Sequence, residues 1–127
     1  MKDIEEADSW LDAARFTLGN TRRGRERFTV SVAQSIHALI KANDALTMRF
    51  LKRRSTRHED ASVLFGELVK HSKIDARYAS LRALLVKASA EKSKYDYRGI
   101  DVGQNEAERW LGHVEEFVDC ARGILNE

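Results

Sequence analysis

Apolar side chains recur at every third or fourth position along most of this chain, a spacing typical of helices that bury one face. The first such stripe runs from about Ile4 to Leu18 and ends at the glycine-containing turn 19-GNTRRG-24. The second runs from about Arg25 to Leu51, so as a helix it would be roughly 40 Å long. No useful length of chain alternates with the two-residue period of a strand, and there is no proline. The pattern therefore predicts long, uninterrupted helices.

Further stripes complete the pattern. A third helix is predicted to start near Arg57, and the last helix to run from about Ala107 to Leu125. Ser72 and Asp75 interrupt the pattern between them, and either side chain is suited to cap a new helix. That helix would carry the stripe Ile74, Tyr78, Leu81, Leu85 and Ala88, and would end in the polar connection 91-EKSKYDYRGIDVG-103. Helices joined by short connections pack antiparallel to their neighbours. The prediction is an all-α, antiparallel up-and-down bundle of four to five helices, with residues 1–127 as a single domain.

Several residues of the second helix are polar where the bundle would pack or meet solvent. Asn43 lies inside the apolar stripe, where a polar side chain usually forms a hydrogen bond within the core or faces a partner helix. A ligand contact is the alternative. His37, Lys41 and Asp44 share another face of the helix. We interpret that face as solvated, with a cleft or a dimer interface as the alternatives.

Composition limits the class of protein. Hydrophobic residues make up 43% of the chain, charged residues make up 33%, and the net charge is +2, as in a globular domain with one core. No apolar run is long enough to span a bilayer, and the start MKDIEEADSW does not resemble a secretory signal. The single cysteine, Cys120, cannot form an internal disulfide, which favours a reducing compartment. We expect a cytoplasmic protein without a membrane partner.

Arginine is concentrated in two short segments, 22-RRGRER-27 and 52-KRRSTRH-58. Such clusters are typical of nucleic-acid contacts and also of solvated turns. The length of the second helix would place them at opposite ends of the bundle. If the third and fourth helices run back along the second, the polar connection returns to the first cluster. The candidate nucleotide or RNA contacts at that end are then Arg22, Arg23, Arg25, Arg27, Lys94, Tyr95, Tyr97 and Arg98. The two tyrosines could stack on a base or simply close the end of the bundle.

The segment 53-RRSTRHED-60 contains the one candidate for catalysis. Four residues separate Arg53 from His58, the spacing of a minimal ribonuclease motif. His58 would transfer protons near neutral pH, while Arg53, Arg54 and Arg57 would hold a phosphate. The alternative is helix capping, because the two acidic residues after His58 suit the positive end of a helix dipole.

Other chemistry has weaker signals. His113 and Glu116 are spaced as in carboxylate–histidine metal sites, but no second pair is evident, and we expect no metal. Cys120 has no visible activating partner. The chain has no phosphate-binding glycine loop, and we expect no cofactor.

Four segments in order resemble the HEPN domain family over nearly the whole chain. They are 28-FTVSVAQSIHALIKANDALTMRFL-51, 58-HEDASVLFGEL-68, 85-LVKASAEKSKYDYRG-99 and 105-NEAERWLGHVEEFV-118. The resemblance implies an antiparallel helical bundle that is usually dimeric. It also implies roles in RNA cleavage, nucleotide binding, or partnership with a minimal nucleotidyltransferase in toxin–antitoxin-like pairs.

In catalytic HEPN members, four to six residues separate an arginine from a histidine, near the start of the last helix or just before it. Here that region contains Arg82 and Arg98 without a histidine at that spacing, and the Arg53/His58 pair lies at the turn into the third helix. The preferred hypothesis is a dimeric nucleotide- or RNA-binding accessory module. The alternatives are a metal-independent ribonuclease that uses Arg53 and His58, and a bundle that only contacts other proteins.

Overall fold

The computed structural model describes the backbone at residues 2–97 and 102–126, and the side chains there except those of residues 58 and 92–97. Within these ranges the chain forms helices and no strand. The elements are α1 (Lys2–Gly19), α2 (Glu26–Leu51), α3 (His58–Lys70), a 3₁₀ helix (Ala76–Leu81), α4 (Arg82–Tyr97) and α5 (Gln104–Leu125). The prediction of an all-α bundle is confirmed.

Helix α2 lies at the centre, with the other four α-helices packed against it. Its apolar stripe is buried at Phe28, Val32, Ile36, Leu39 and Leu46. The helix ends where Lys52 adopts a left-handed backbone (φ 60°) and donates its N–H to the Met48 carbonyl. That geometry satisfies one of the free carbonyls of a helix C-terminus.

Contacts between distant residues give the direction of α1. Near its start, Asp3 pairs with Arg54, and at its end the Leu18 carbonyl accepts from Arg27. Helix α1 is therefore antiparallel to α2 and spans the bundle. Residues 20–25, between α1 and α2, form the first turn, and residues 52–57, between α2 and α3, form the second turn. The 26 residues of α2 lie between the two turns, and at 1.5 Å per residue the turns are roughly 40 Å apart, which agrees with the predicted separation of the arginine clusters.

Helix α5 runs parallel to α2 and antiparallel to α1. Its end lies near the second turn, because Arg49 donates to the Leu125 carbonyl at 3.2 Å. Further back, Glu115 pairs with Arg15 of α1 at 2.8 Å. The start of α5 therefore points towards the end of the bundle that holds the first turn.

After α2, the chain runs back along the bundle through α3, the 3₁₀ helix and α4, which together we call the return path. Arg82 at the start of α4 donates to the Ser62 carbonyl of α3 at 3.0 Å. Further along, the Lys87 amine lies 5.1 Å from the ring centre of Trp110. Helix α4 therefore progresses towards the start of α5.

Two details of this return path differ from the prediction. The stripe from Ile74 to Ala88 is not one α-helix, because its first part is 3₁₀, begun by Asp75, whose carboxylate accepts from the Arg77 N–H at 2.8 Å. In addition, α4 continues to Tyr97, whereas a polar connection was predicted from residue 91. Residues 91–97 contain neither glycine nor proline and include the good helix formers Glu91 and Lys92, so polarity alone did not end the helix.

Candidate nucleic-acid interface

The arginines of the second turn are bound to carboxylates of the same chain. The pairs are Arg53 with Glu67 (3.2 Å), Arg54 with Asp3 (2.9 Å) and Arg57 with Asp60 (3.5 Å). The Arg54 contact is the most extensive, since its Nε also donates to both Asp3 oxygens. Each pairing places beside the guanidinium a carboxylate that a phosphate would have to compete with.

Residues of the second turn form hydrogen bonds that cap the start of α3. The Asp60 carboxylate accepts from the Arg57 backbone N–H at 3.1 Å and from the Thr56 hydroxyl at 3.0 Å. These hydrogen bonds hold the pKa of Asp60 below its usual value. The geometry is that of helix capping. His58 is the first residue of α3, but its side chain lies outside the described residues, so its catalytic role stays a prediction.

A buried carboxylate lies beneath this turn. Asp44 of α2 is 4% exposed, and one of its oxygens accepts from the Ser55 N–H at 3.2 Å and from the Ser55 hydroxyl at 2.9 Å. Burial raises the pKa of Asp44, although the Ser55 hydrogen bonds oppose the shift. This carboxylate fixes the second turn to α2.

The interpretation of the His37, Lys41 and Asp44 face as solvated is wrong. His37 stacks on Trp10 with ring centres 4.6 Å apart, and Lys41 pairs with Glu6 at 3.1 Å. The face packs against α1. The available sequence signal was the small residues around Asp44 in 42-ANDA-45, which allow another chain segment to approach closely. The expectation for Asn43 is confirmed, since its Nδ2 donates to the Ala61 carbonyl inside the core at 3.0 Å.

A shallow cleft of about 340 Å³ adjoins the second turn. Its lining consists of Arg53, Arg54, Thr56, Asp60, Val63 and Leu64. Both arginines in this lining are paired, and Asp60 adds a negative charge. The cleft is therefore poorly suited to an anion.

Arg27, the second residue of α2, holds the adjacent first turn in place. Its guanidinium donates to the carbonyls of Leu18 (3.1 Å), Arg23 (3.0 Å) and Gly24 (3.3 Å). It also lies 4.4 Å from the ring centre of Phe28. Arg27 thus holds the turn together, and its donors are largely occupied, although the sequence suggested it as a ligand contact.

The three arginines within the first turn differ from those of the second turn. Arg22, Arg23 and Arg25 are exposed, and their side chains form no ion pair or hydrogen bond with any described residue. The one acidic residue of the segment, Glu26, accepts from the Gly24 N–H at 3.1 Å. Three guanidinium groups therefore face solvent within four residues of chain.

A second cleft, of about 350 Å³, borders these arginines, and we call it the first-turn cleft. Its lining consists of Phe16, Thr17, Asn20, Arg23, Glu26, Arg27 and Val30. Phe16 is 73% exposed and Val30 is 45% exposed. Sequence reasoning missed both residues, because it followed buried stripes. The signal was that Phe16 lies off the stripe of α1.

The remaining candidates at this end are only partly described. Lys94, Tyr95 and Tyr97 belong to the last turns of α4, but their side chains lie outside the described residues. Arg98 lies outside them entirely. Their contribution to the first-turn end stays a prediction.

Other chemistry finds little support in the described part of the chain. No group of three or more His, Cys, Asp or Glu side chains there is arranged to hold a metal ion. Burial raises the pKa of Cys120, and Glu116 and Asp119 act in the same direction, which is the opposite of what an activated thiol needs. Within residues 2–97 and 102–126, no helix has both the length and the apolar character required to cross a bilayer.

Neither the protein-family models nor the curated proteins that were searched match this chain. The resemblance to HEPN domains rests on the sequence segments given above and stays a prediction.

Proposed function

We propose that this bundle binds RNA or nucleotide phosphates at the first turn and serves as a binding or accessory module. The observation that carries the proposal is the contrast between the two arginine clusters. Arg22, Arg23 and Arg25 have no carboxylate partner among the described residues, whereas Arg53, Arg54 and Arg57 each have at least one. An unpaired guanidinium binds phosphate without first breaking an internal ion pair.

Binding of this kind has a measurable dependence on salt, because each phosphate that is neutralised releases counterions. For a single strand the slope of log K against log salt is about −0.7 per contact, so three arginines predict a slope of about −2. Between 50 and 200 mM salt the affinity would then fall roughly 20-fold. A protein-only interaction module would show no such binding.

The test is fluorescence anisotropy of a short labelled RNA across a salt series. The variant Arg22→Gln/Arg23→Gln should weaken binding and reduce the slope to about −0.7. Its matched control is Arg53→Gln/Arg57→Gln, which removes the same charge from the second turn. The control should leave the affinity and the slope near those of the unmodified protein. Equal losses in both variants would mean that net charge, and not the first turn, determines binding.

A metal-independent ribonuclease that uses Arg53 and His58 is the second candidate. The observation in its favour is that Arg53 is 62% exposed and borders the cleft at the second turn. An RNA cleavage assay without added metal, comparing the unmodified protein with His58→Ala, decides between the two. Cleavage that disappears in a folded His58→Ala variant would establish the second candidate in place of a pure binding module.

The homodimer, the nucleotidyltransferase partner and the cytoplasmic location stay predictions from the sequence. Light scattering after size-exclusion chromatography measures the oligomeric state directly. A monomer at all concentrations would contradict the dimer implied by the HEPN resemblance.

A further inference from the structure

We infer that the first-turn cleft receives an unpaired base of a single-stranded RNA, stacked on Phe16, while the adjacent phosphates lie on the arginines of the first turn. This inference rests on the proposed function and adds the structural class of the RNA to it. It also assigns a role to an exposed aromatic side chain that the bundle itself does not use.

The exposure of Phe16 is unusual for its position. The buried residues of α1 include Ala7, Leu11 and Ala14, and Phe16 lies off that stripe with 73% of its surface exposed. Val30, near the start of α2, lines the same cleft and adds to the apolar surface beside the first turn. Neither side chain is part of the core of the bundle, so packing does not explain their presence here.

The apolar surface and the cations share one cleft. Arg23 and Phe16 both line it, and Arg22 and Arg25 are close to Arg23 in the chain. Aromatic rings beside arginines are the usual platform for single-stranded nucleic acid, because every base presents a flat face that stacks on a ring. The cleft volume of about 350 Å³ falls in the range of small-ligand sites.

The polar groups of the cleft indicate how a nucleotide would be oriented. Glu26 lines the cleft, and its carboxylate would repel a phosphate there. It accepts from the Gly24 N–H, and as an anion it can also accept from an amino group on a base edge. Asn20 contributes an amide whose oxygen accepts from the Arg22 N–H at 3.3 Å. The base therefore belongs inside the cleft, and the phosphates belong outside it, on the guanidinium groups.

This orientation excludes a duplex from the cleft. In a double helix the base faces are stacked on each other, and the protein meets mainly phosphates and 2′-hydroxyl groups. The arginines would still attract a duplex through its charge. Phe16 would contribute only to binding of a single strand.

The test compares one labelled RNA strand with the same strand annealed to its complement. Phe16→Leu keeps an apolar side chain but removes the ring, and it should weaken single-strand binding about tenfold while duplex binding is unchanged. Phe16→Trp should restore or exceed the original affinity. Because the phosphate contacts are kept, the salt slope of Phe16→Leu should match that of the unmodified protein. Val63→Ala, at a valine that is 56% exposed near the second turn, is the control and should have no effect.

The outcomes separate this inference from the proposed function. If Arg22→Gln/Arg23→Gln weakens binding and Phe16→Leu does not, the proposed function stands and the stacking inference is wrong. Equal losses for single strand and duplex in Phe16→Leu would also overturn it. A dimer that dissociates on Phe16→Leu, with unchanged RNA affinity, would assign Phe16 to a subunit contact instead. If the unmodified protein binds neither RNA, both proposals fail together.

Discussion

Two serines one helical turn apart on α2 differ in a single respect that stability measurements can detect. Ser31 and Ser35 are both 0% exposed. The Ser31 hydroxyl donates to the Ala14 carbonyl of α1 at 2.9 Å, whereas the Ser35 hydroxyl has no partner among the described residues. The Ser31 bond joins α2 to the part of α1 that precedes Phe16. We expect substitution by alanine to have opposite effects at the two positions.

The magnitudes follow from the cost of a buried hydroxyl. Ser31→Ala loses one hydrogen bond, whose net contribution to the free energy of unfolding is about 1 kcal/mol. Ser35→Ala removes a hydroxyl whose unpaired burial costs about 1–3 kcal/mol. The higher helix propensity of alanine favours both variants equally and cancels in the comparison. The two variants should therefore differ by about 2 kcal/mol or more, with the Ser31 variant less stable.

Urea unfolding followed by circular dichroism measures this difference. With a urea dependence of about 1–3 kcal/mol per molar, 2 kcal/mol separates the two midpoints by roughly 1 M. The midpoint of the unmodified protein should lie between them. If both variants shift in the same direction by similar amounts, then either the Ser31 bond contributes nothing or the Ser35 hydroxyl has a partner, and the reasoning fails.

Two further predictions concern carboxylates near the second turn. Because burial raises the pKa of Asp44 in the folded state, the stability that it contributes is present below its ordinary pKa of about 3.9 and is lost as the pH rises through the folded value. Asp44→Asn should therefore be more stable than the unmodified protein at neutral pH and equal to it in acid. Thermal unfolding across a pH series measures this. A difference in melting temperature between the two proteins that stays the same at every pH would contradict the prediction. Arg54→Gln should lower the urea midpoint more than Arg53→Gln, because the Arg54 partner Asp3 is 5% exposed and would be left without its cation, while Glu67 is 34% exposed. Equal midpoints for the two arginine variants would contradict that ranking.

The helices could be predicted from sequence because their causes are local. The 3.6-residue stripe of α2 gave its bounds to within one residue, since the stripe, the glycine before it and the charged run after it all lie in one short segment. Prediction failed in two segments between α3 and α5. Residues 76–81 form a 3₁₀ helix, and residues 91–97 stay helical although they are mostly polar.

The chain alone determined that there are two arginine clusters and that the length of α2 separates them. It did not determine which cluster is free, because their compositions are nearly the same. The difference comes from carboxylates that the fold brings to the second turn, such as Asp3, which is 51 residues from Arg54 in sequence. Ion pairing acts through distance in space. The packing of α1 along α2 places Asp3 beside Arg54, whereas the fold brings no carboxylate of the described residues to Arg22, Arg23 or Arg25.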